Sequence, residues 1–326
     1  MPRRLLQPRR PLTQGPSVRL RPLRIGTRGS PMALHQANLV RDRLTAAHPG
    51  LAEPGMVELT VIRTTGDRVQ NRLLAEIGGK GLFTKEIEEA LLHRRIDLAV
   101  HSLKDMETGL PPGLDIGCVL RRDDPRDALV SRDGSGLDGL PKGARIGTAS
   151  LRRRAQLLRH RPDLAVAPIR GNVDTRLAKL AAGEIDGLLL ALCGLERLGR
   201  AEVTSEIIPV AVMLPAVGQG ALAIETRADD AEMRAWLAPL HDPASAACVH
   251  AERAMLAALD GSCRTPIAGL AELDGDRLSL RGILLSPDGT AERRAEGTGS
   301  ARDPIALGHE IGERLRRGAG PEFGLD

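Results

Sequence analysis

A loop cysteine, a carboxylate just past a buried strand and a gathering of arginines are the residues of this chain that could do chemistry. Cys263 stands in Leu259-Asp260-Gly261-Ser262-Cys263-Arg264-Thr265-Pro266. A Gly/Ser/Pro loop leaves a thiol accessible, and Arg264 beside it favours the thiolate, so Cys263 reads as a nucleophile or an attachment point. Cys118, Cys193 and Cys248 have apolar neighbours in sequence and read as inert. Asp105 closes the run Val100-His101-Ser102-Leu103-Lys104-Asp105. It falls beyond the C-terminal end of an apolar strand, where α/β folds place working residues, and is the acid–base candidate. The residues alone leave open a plainer reading, with Asp105 capping the next turn, Lys104 a solvated charge and His101 structural.

The arginines occur where helices begin. Arg24-Ile25-Gly26-Thr27-Arg28-Gly29-Ser30 precedes an apolar-periodic run, and Arg145-Ile146-Gly147-Thr148-Ala149-Ser150 precedes another. Each reads as a strand, a tight turn with Ser30 or Ser150 at the N-cap, then a helix. A helix N-terminus offers unpaired N–H groups and partial positive charge, which suit an anion. Arg28 in the first turn, and Arg152 and Arg153 after the second, sharpen the preference for carboxylate or phosphate. Arg170-Gly171-Asn172-Val173-Asp174-Thr175-Arg176 joins a further strand to a helix and adds Arg170 and Arg176 to the same strand-end face. Arg154, Arg159 and Arg161 read as solvated. Ile77-Gly78-Gly79-Lys80-Gly81-Leu82-Phe83 lacks the Ser or Thr and the spacing of a nucleotide-binding loop. It reads instead as a mobile loop carrying Lys80 and Phe83 over a cleft. No metal-ligand spacing or hydrolase elbow is present.

Alternating strands and helices position these groups. Strands are expected at 23–27, 57–64 and 96–100 with helices at 30–47 and 82–94, then a connection over 108–117. A second series follows: strands at 145–147, 164–169 and 185–191, helices at 150–160, 172–181 and 194–198. Ile96-Asp97-Leu98-Ala99 and Ile185-Asp186-Gly187-Leu188 repeat the echo. Such βαβ runs imply an α/β fold with mostly parallel sheets that bind ligand beyond the strand C-termini. From 243 onward a helix at 247–259, a hairpin at Asp274-Gly275, a turn at Pro287-Asp288-Gly289 and a final helix at 304–317 make a small α+β domain.

Composition narrows the classes. The formal charge is +4, but residues 1–22 hold six arginines and no acid, and without them it falls to −2. With two Phe, one Trp and no Tyr there is little on which bases could stack, so no nucleic-acid partner is expected. No apolar run would cross a bilayer, so no membrane partner is expected either. Four cysteines without C-x-x-C spacing fit reduced thiols in the cytoplasm. The Arg/Pro-rich segment 1–22 reads as a disordered extension, with organelle targeting as the alternative.

RIGTRGSPMAL, GGKGLFTKEIE, DLAVHSLKD, DDPRDALVS, IGTASLRRRAQL, RGNVDTRLAKL, LPAVGQGAL, AERAML and DGSCRTPI, in this order over 23–285, resemble the porphobilinogen deaminases (hydroxymethylbilane synthases). The resemblance implies two periplasmic-binding-protein-like lobes with mixed, mostly parallel sheets, 23–120 with 221–238 and 126–214, and a C-terminal domain over 243–326. It implies a monomeric transferase that joins four porphobilinogens head to tail, releases four ammonias and hydrolyses off hydroxymethylbilane. It also implies a dipyrromethane cofactor held by a thioether to Cys263. Pyrrole acetates and propionates make the growing chain a polycarboxylate. The resemblance therefore carries Arg28, Ser30, Lys104, Thr148, Ser150, Arg152, Arg153 and Arg170 over to the cofactor. Arg28, Arg170, Arg176 and Arg197, with Lys80 and Phe83, go to the substrate. Asp105 would stabilise charge at the pyrrole N–H and Lys104 would bind a carboxylate or orient it. Glu76 and Asp174 depart from residues common in relatives. The competing readings are a two-lobed anion-binding module without catalysis and a nucleic-acid binder using the basic tail.

Overall fold

The computed structural model describes residues 21–68, 83–259 and 265–324. The first lobe runs β1 (Leu23–Thr27), α1 (Pro31–Ala47), β2 (Val57–Val61), a single turn α2 (Thr65–Arg68), α3 (Lys85–Leu92), β3 (Leu98–Ser102) and β4 (Leu114–Val119). The second runs β5 (Asp127–Ser131), β6 (Arg145–Gly147), α4 (Leu151–His160), β7 (Ala165–Ala167), α5 (Val173–Ala181), β8 (Gly187–Ala191), α6 (Leu192–Arg197) and β9 (Glu206–Ile207). The chain then returns to the first lobe as β10 (Leu222–Arg227) and α7 (Ala231–Leu237). A third body follows: α8 (Pro243–Ala258), β11 (Ile267–Asp274), β12 (Arg277–Leu285), β13 (Glu292–Ser300) and α9 (Pro304–Arg316).

The two large sheets share one plan. The first has strand order β2-β1-β3-β10-β4, with β1 parallel to β2 and β3, and β10 antiparallel to both its neighbours. The second has order β7-β6-β8-β5-β9, with β6 parallel to β7 and β8, and β5 antiparallel to both its neighbours. The antiparallel strand comes last in one sheet and first in the other, so the chain crosses between the lobes twice. Four strands lie where the sequence reading has none: β4 begins within 108–117, β5 precedes 145, and β9 and β10 follow 198. All five β5 residues are buried, so its run shows no period-two alternation to betray it.

The repeated Arg-Ile-Gly and Ile-Asp pairs have one physical origin. A Cβ on Gly26 would lie 2.3 Å from Ile96 Cδ1, and one on Gly147 would lie 2.7 Å from Ile185 Cδ1. Each glycine therefore lets an isoleucine pack directly on the strand. The aspartate after each isoleucine then pins the strand's start: Asp97 accepts from the Arg24 amide at 2.9 Å, and Asp186 from the Arg145 amide at 2.8 Å. At the other end of β1 and β6, Ser30 accepts from the Ala33 amide (3.2 Å) and Ser150 from the Arg153 amide (3.4 Å), starting α1 and α4.

In the third body, α8 and α9 cover one face of the antiparallel sheet β11-β12-β13, around Met255, Leu278, Leu280, Ile311 and Leu315. Helix α8 starts four residues before the expected 247. Asp242 caps it by accepting from the Ser245 amide at 2.7 Å, and Pro243 occupies the first turn, where a missing N–H costs nothing. Among the described residues no helix is long and apolar enough to cross a membrane.

Candidate active site

The carboxyl ends of β3 and β8 are tied to the two connections between the lobes. The Leu103 amide donates to the Ala221 carbonyl at 3.0 Å, and the Leu192 amide to the Arg126 carbonyl at 3.1 Å. Lys104 and Asp105 follow β3 at once, in a short 3-10 turn Leu103–Asp105. Asp127 opens β5 in the other lobe and is fully buried. Gln219, on the second connection and also buried, links them. Its Oε1 accepts from Lys104 Nζ at 3.4 Å, while its Nε2 donates to Asp127 Oδ1 at 2.8 Å and to the Pro125 carbonyl at 2.7 Å.

Asp127 anchors the two arginines that the sequence placed at an anion. Arg152 Nη1 donates to Asp127 Oδ2 at 2.7 Å and to the Leu214 carbonyl at 2.6 Å. Arg153 donates to Asp127 Oδ1 through Nε (3.1 Å) and Nη2 (2.8 Å), and to the Leu189 carbonyl through Nη1 (3.1 Å). Both side chains are buried, so neither is the freely projecting guanidinium that the sequence suggests. Burial by itself would raise the Asp127 carboxyl, but Arg152 and Arg153 outweigh it and hold it well below the ordinary range. Two guanidiniums on one carboxylate still leave positive charge in excess, and Arg152 Nε is buried with no partner among the described residues.

That excess extends to Lys104, Arg170 and Arg176. Burial pulls Arg176 down to about 10, with Arg153 and Arg170 adding to the shift. Burial, then Arg153, also lowers Lys104, and Asp105, Cys193 and Asp127 offset this only in part. Arg170 Nη1 is buried and unpartnered among the described residues. Cations crowded enough to help lower Arg176 and Lys104, with N–H groups unused, form a site that favours a ligand with several carboxylates.

The other expected residues are held in different ways. Arg28 is held by Asp67, whose Oδ1 accepts from its Nε at 3.2 Å, and its guanidinium lies 4.1 Å from the centroid of the Phe83 ring. Ser30, Ser150 and Thr148 use oxygen lone pairs on backbone amides, Thr148 Oγ1 accepting from the Ser150 amide at 3.2 Å. Their hydroxyl protons stay available to a carboxylate. Arg197, read as a substrate ligand, instead donates to Asp123 Oδ2 and to the Gly220 carbonyl, both at 2.8 Å, which ties it to the connections between lobes. Asp174, beside the Arg170 and Arg176 pair, is engaged by Arg200 at 3.3 Å. Cys263, Lys80 and Glu76 lie outside the described residues. Asp67, Asp127 and Gln219 escape the sequence reading. Asp127 and Gln219 lie inside quoted motifs and Asp67 outside all of them, and no spacing names the partner of any of the three.

Asp127→Asn is expected to destabilise the fold by about 3–5 kcal/mol, because it leaves buried guanidiniums without a counter-charge. Denaturant midpoints check it. Asp127 titrates lower folded than unfolded, so its contribution is present above the unfolded carboxyl value and is lost as pH falls through the folded one. The variant should therefore lose part of the acid-side fall in stability. A midpoint unchanged at neutral pH would mean that the arginines do not depend on Asp127.

Comparison with known proteins agrees in two segments. Residues 23–235 match the family model described as porphobilinogen deaminase, dipyromethane cofactor binding domain, and residues 246–317 match porphobilinogen deaminase, C-terminal domain. A porphobilinogen deaminase of Paracoccus denitrificans is 54% identical over 96% of this chain and 99% of its own length. One from Nitrobacter hamburgensis is 52% identical over 92% of this chain and 94% of its own. Among solved structures, the aliphatic sulphonate binding protein SsuA of Escherichia coli is 14% identical with a TM-score of 0.37, covering 73% of this chain and 70% of its own.

Proposed function

The chain belongs to the porphobilinogen deaminase family, and from that premise we propose which of its residues carry the reaction. It is a hydroxymethylbilane synthase of tetrapyrrole biosynthesis, and its two lobes form a dipyrromethane cofactor binding domain. The buried, unpartnered Arg152 Nε and Arg170 Nη1, among the cations that help lower Arg176 and Lys104, suit a cofactor that bears acetate and propionate groups. When bound, dipyrromethane supplies the pyrrole carbon onto which substrate units are joined.

In this reading Lys104, Arg152, Arg153 and Arg170 take cofactor carboxylates, with the hydroxyls of Ser30, Thr148 and Ser150 and with Arg28 from the first lobe. Arg28 and Arg170 also meet incoming porphobilinogen, together with Arg176, Phe83 and Lys80. Asp105 is exposed at the end of its turn, next to Lys104, which donates to Gln219 on the second connection. Its carboxylate stabilises the positive charge that develops on the substrate pyrrole as the aminomethyl C–N bond breaks and ammonia leaves. Gln219 holds the Lys104 ammonium and Asp127 fixes the paired arginines. Cys263 is the attachment point. The reading extends to a monomeric transferase of the cytoplasm, and every residue named comes from one copy of the chain.

The observation that carries this assignment is the unused guanidinium N–H of Arg170 amid like charge. Arg170→Leu is expected to raise KM for porphobilinogen about 10- to 100-fold, the value of a lost charge-assisted hydrogen bond of about 1.5–3 kcal/mol. Steady-state kinetics at matched folded fraction make the test. A drop in thermal stability with KM unchanged would return Arg170 to a structural role.

A further inference from the structure

Helix α8 carries two neighbouring charges that hold different parts of the molecule. Glu252 is fully buried and accepts from both Arg122 terminal nitrogens (2.6 and 3.1 Å), from the Gly218 amide (2.7 Å) and from the Ala271 amide (2.8 Å). That binds α8 to both interlobe connections and to its own sheet. Arg253 is also buried, and its Nη2 donates to the carbonyls of Glu107 (2.6 Å) and Thr108 (3.1 Å). Those carbonyls follow Asp105 by two and three residues. One and two turns earlier on the same helix face, Val249 and Ala246 share an apolar cluster with Leu103 and Met106.

The segment carrying Asp105 is thus fixed to α8 on both sides, by apolar contact at 103 and 106 and by the Arg253 guanidinium at 107 and 108. The C-terminal end of α8, at Ala258, leads in sequence toward Cys263. We infer that Arg253 is a positioning residue for the reaction, setting Asp105 in register with the helix that precedes the cofactor cysteine. This rests on the role proposed above for Asp105. The apolar contacts would keep the segment docked without Arg253, but two carbonyls would turn to water and the short turn bearing Asp105 would lose its restraint.

The test uses full-length holoenzyme carrying Arg253→Met or Arg253→Gln, in wild-type and Asp105→Ala backgrounds, with kcat, KM and intact mass measured. Displacing a reacting group by about 1 Å can cost about 100-fold, so kcat should fall about 10- to 100-fold while KM stays within about twofold and the cofactor mass remains. In the Asp105→Ala background, single-turnover rates should change less than about twofold, because the group being positioned is gone. An undiminished kcat in a loaded variant would overturn the inference. So would a loss of equal size in both backgrounds. Should Arg253→Met not fold, Arg253→Gln decides by the same two readings, since it keeps an N–H donor but is too short for both carbonyls. Normal turnover in Asp105→Ala alone would overturn the reading of Asp105 itself, independently of Arg253.

Discussion

Cys263→Ala purified from cells that make porphobilinogen should have the mass of the bare polypeptide, and it should form hydroxymethylbilane at least about 10³-fold more slowly than the parent chain. The parent should carry an increment equal to two deaminated porphobilinogen units, mapping to the peptide that spans 259–266. The size of the loss follows from tethering. Attachment replaces a bimolecular encounter with an intramolecular one, and effective molarities for well-oriented groups reach about 10⁵ M or more. Ionic contacts cannot substitute for the bond. The site around Arg152, Arg153 and Arg170 would hold a free primer and the finished product by the same carboxylates. A thioether lets the product leave while the two primer rings stay, so each round starts from the same end. Intact-mass spectrometry with peptide mapping, followed by a turnover assay, decides the matter. An unmodified parent chain would favour a two-lobed anion-binding module, and a Cys263→Ala variant with full activity would exclude Cys263 from the chemistry.

What the sequence made legible is what depends on local periodicity and on repetition. The two Arg-Ile-Gly turns, their serine caps and the two Ile-Asp pairs recur because each half solves the same packing problem, with an isoleucine over a glycine and an aspartate on the strand's first amide. The arginines could be read as a candidate anion site because of where they lie relative to helix starts. Their counter-charges could not be read. Asp127 is 25 residues from Arg152, and Gln219 is 92 residues from Asp127. Only the antiparallel placement of β5 beside β8, and the second crossing of the chain, bring them together. The same crossing explains Arg197, which the resemblance assigns to the substrate yet which is joined to Asp123 and Gly220. Strand β5 itself was hidden because a fully buried five-residue run carries no alternation.

Asp105→Ala is expected to keep the fold and the cofactor and to lose about 10²–10⁴-fold in kcat. Stability should change by less than about 0.5 kcal/mol, since the side chain is exposed and an exposed carboxylate contributes little to folding. The activity range is that of removing a group aimed at charge developing in a transition state, with proton transfer adding a comparable factor. Asp105→Asn separates the two contributions. It keeps size and hydrogen bonding but not charge, so a variant as slow as alanine assigns the effect to the negative charge beside the pyrrole. Substantial recovery would assign it to hydrogen bonding and orientation. KM should move little in either variant, because the cations that take the substrate carboxylates are untouched. The surroundings of Asp105 make this reading specific. Lys104, Arg153, Arg170 and Arg176 form a field suited to carboxylates, in which cationic charge on a substrate would otherwise be disfavoured, and Asp105, next to Lys104, is an exposed carboxylate not enclosed between arginines as Asp127 is. A rate near that of the parent chain would therefore leave the ammonia-releasing step with no charge partner among the residues proposed here and would remove Asp105 from the mechanism.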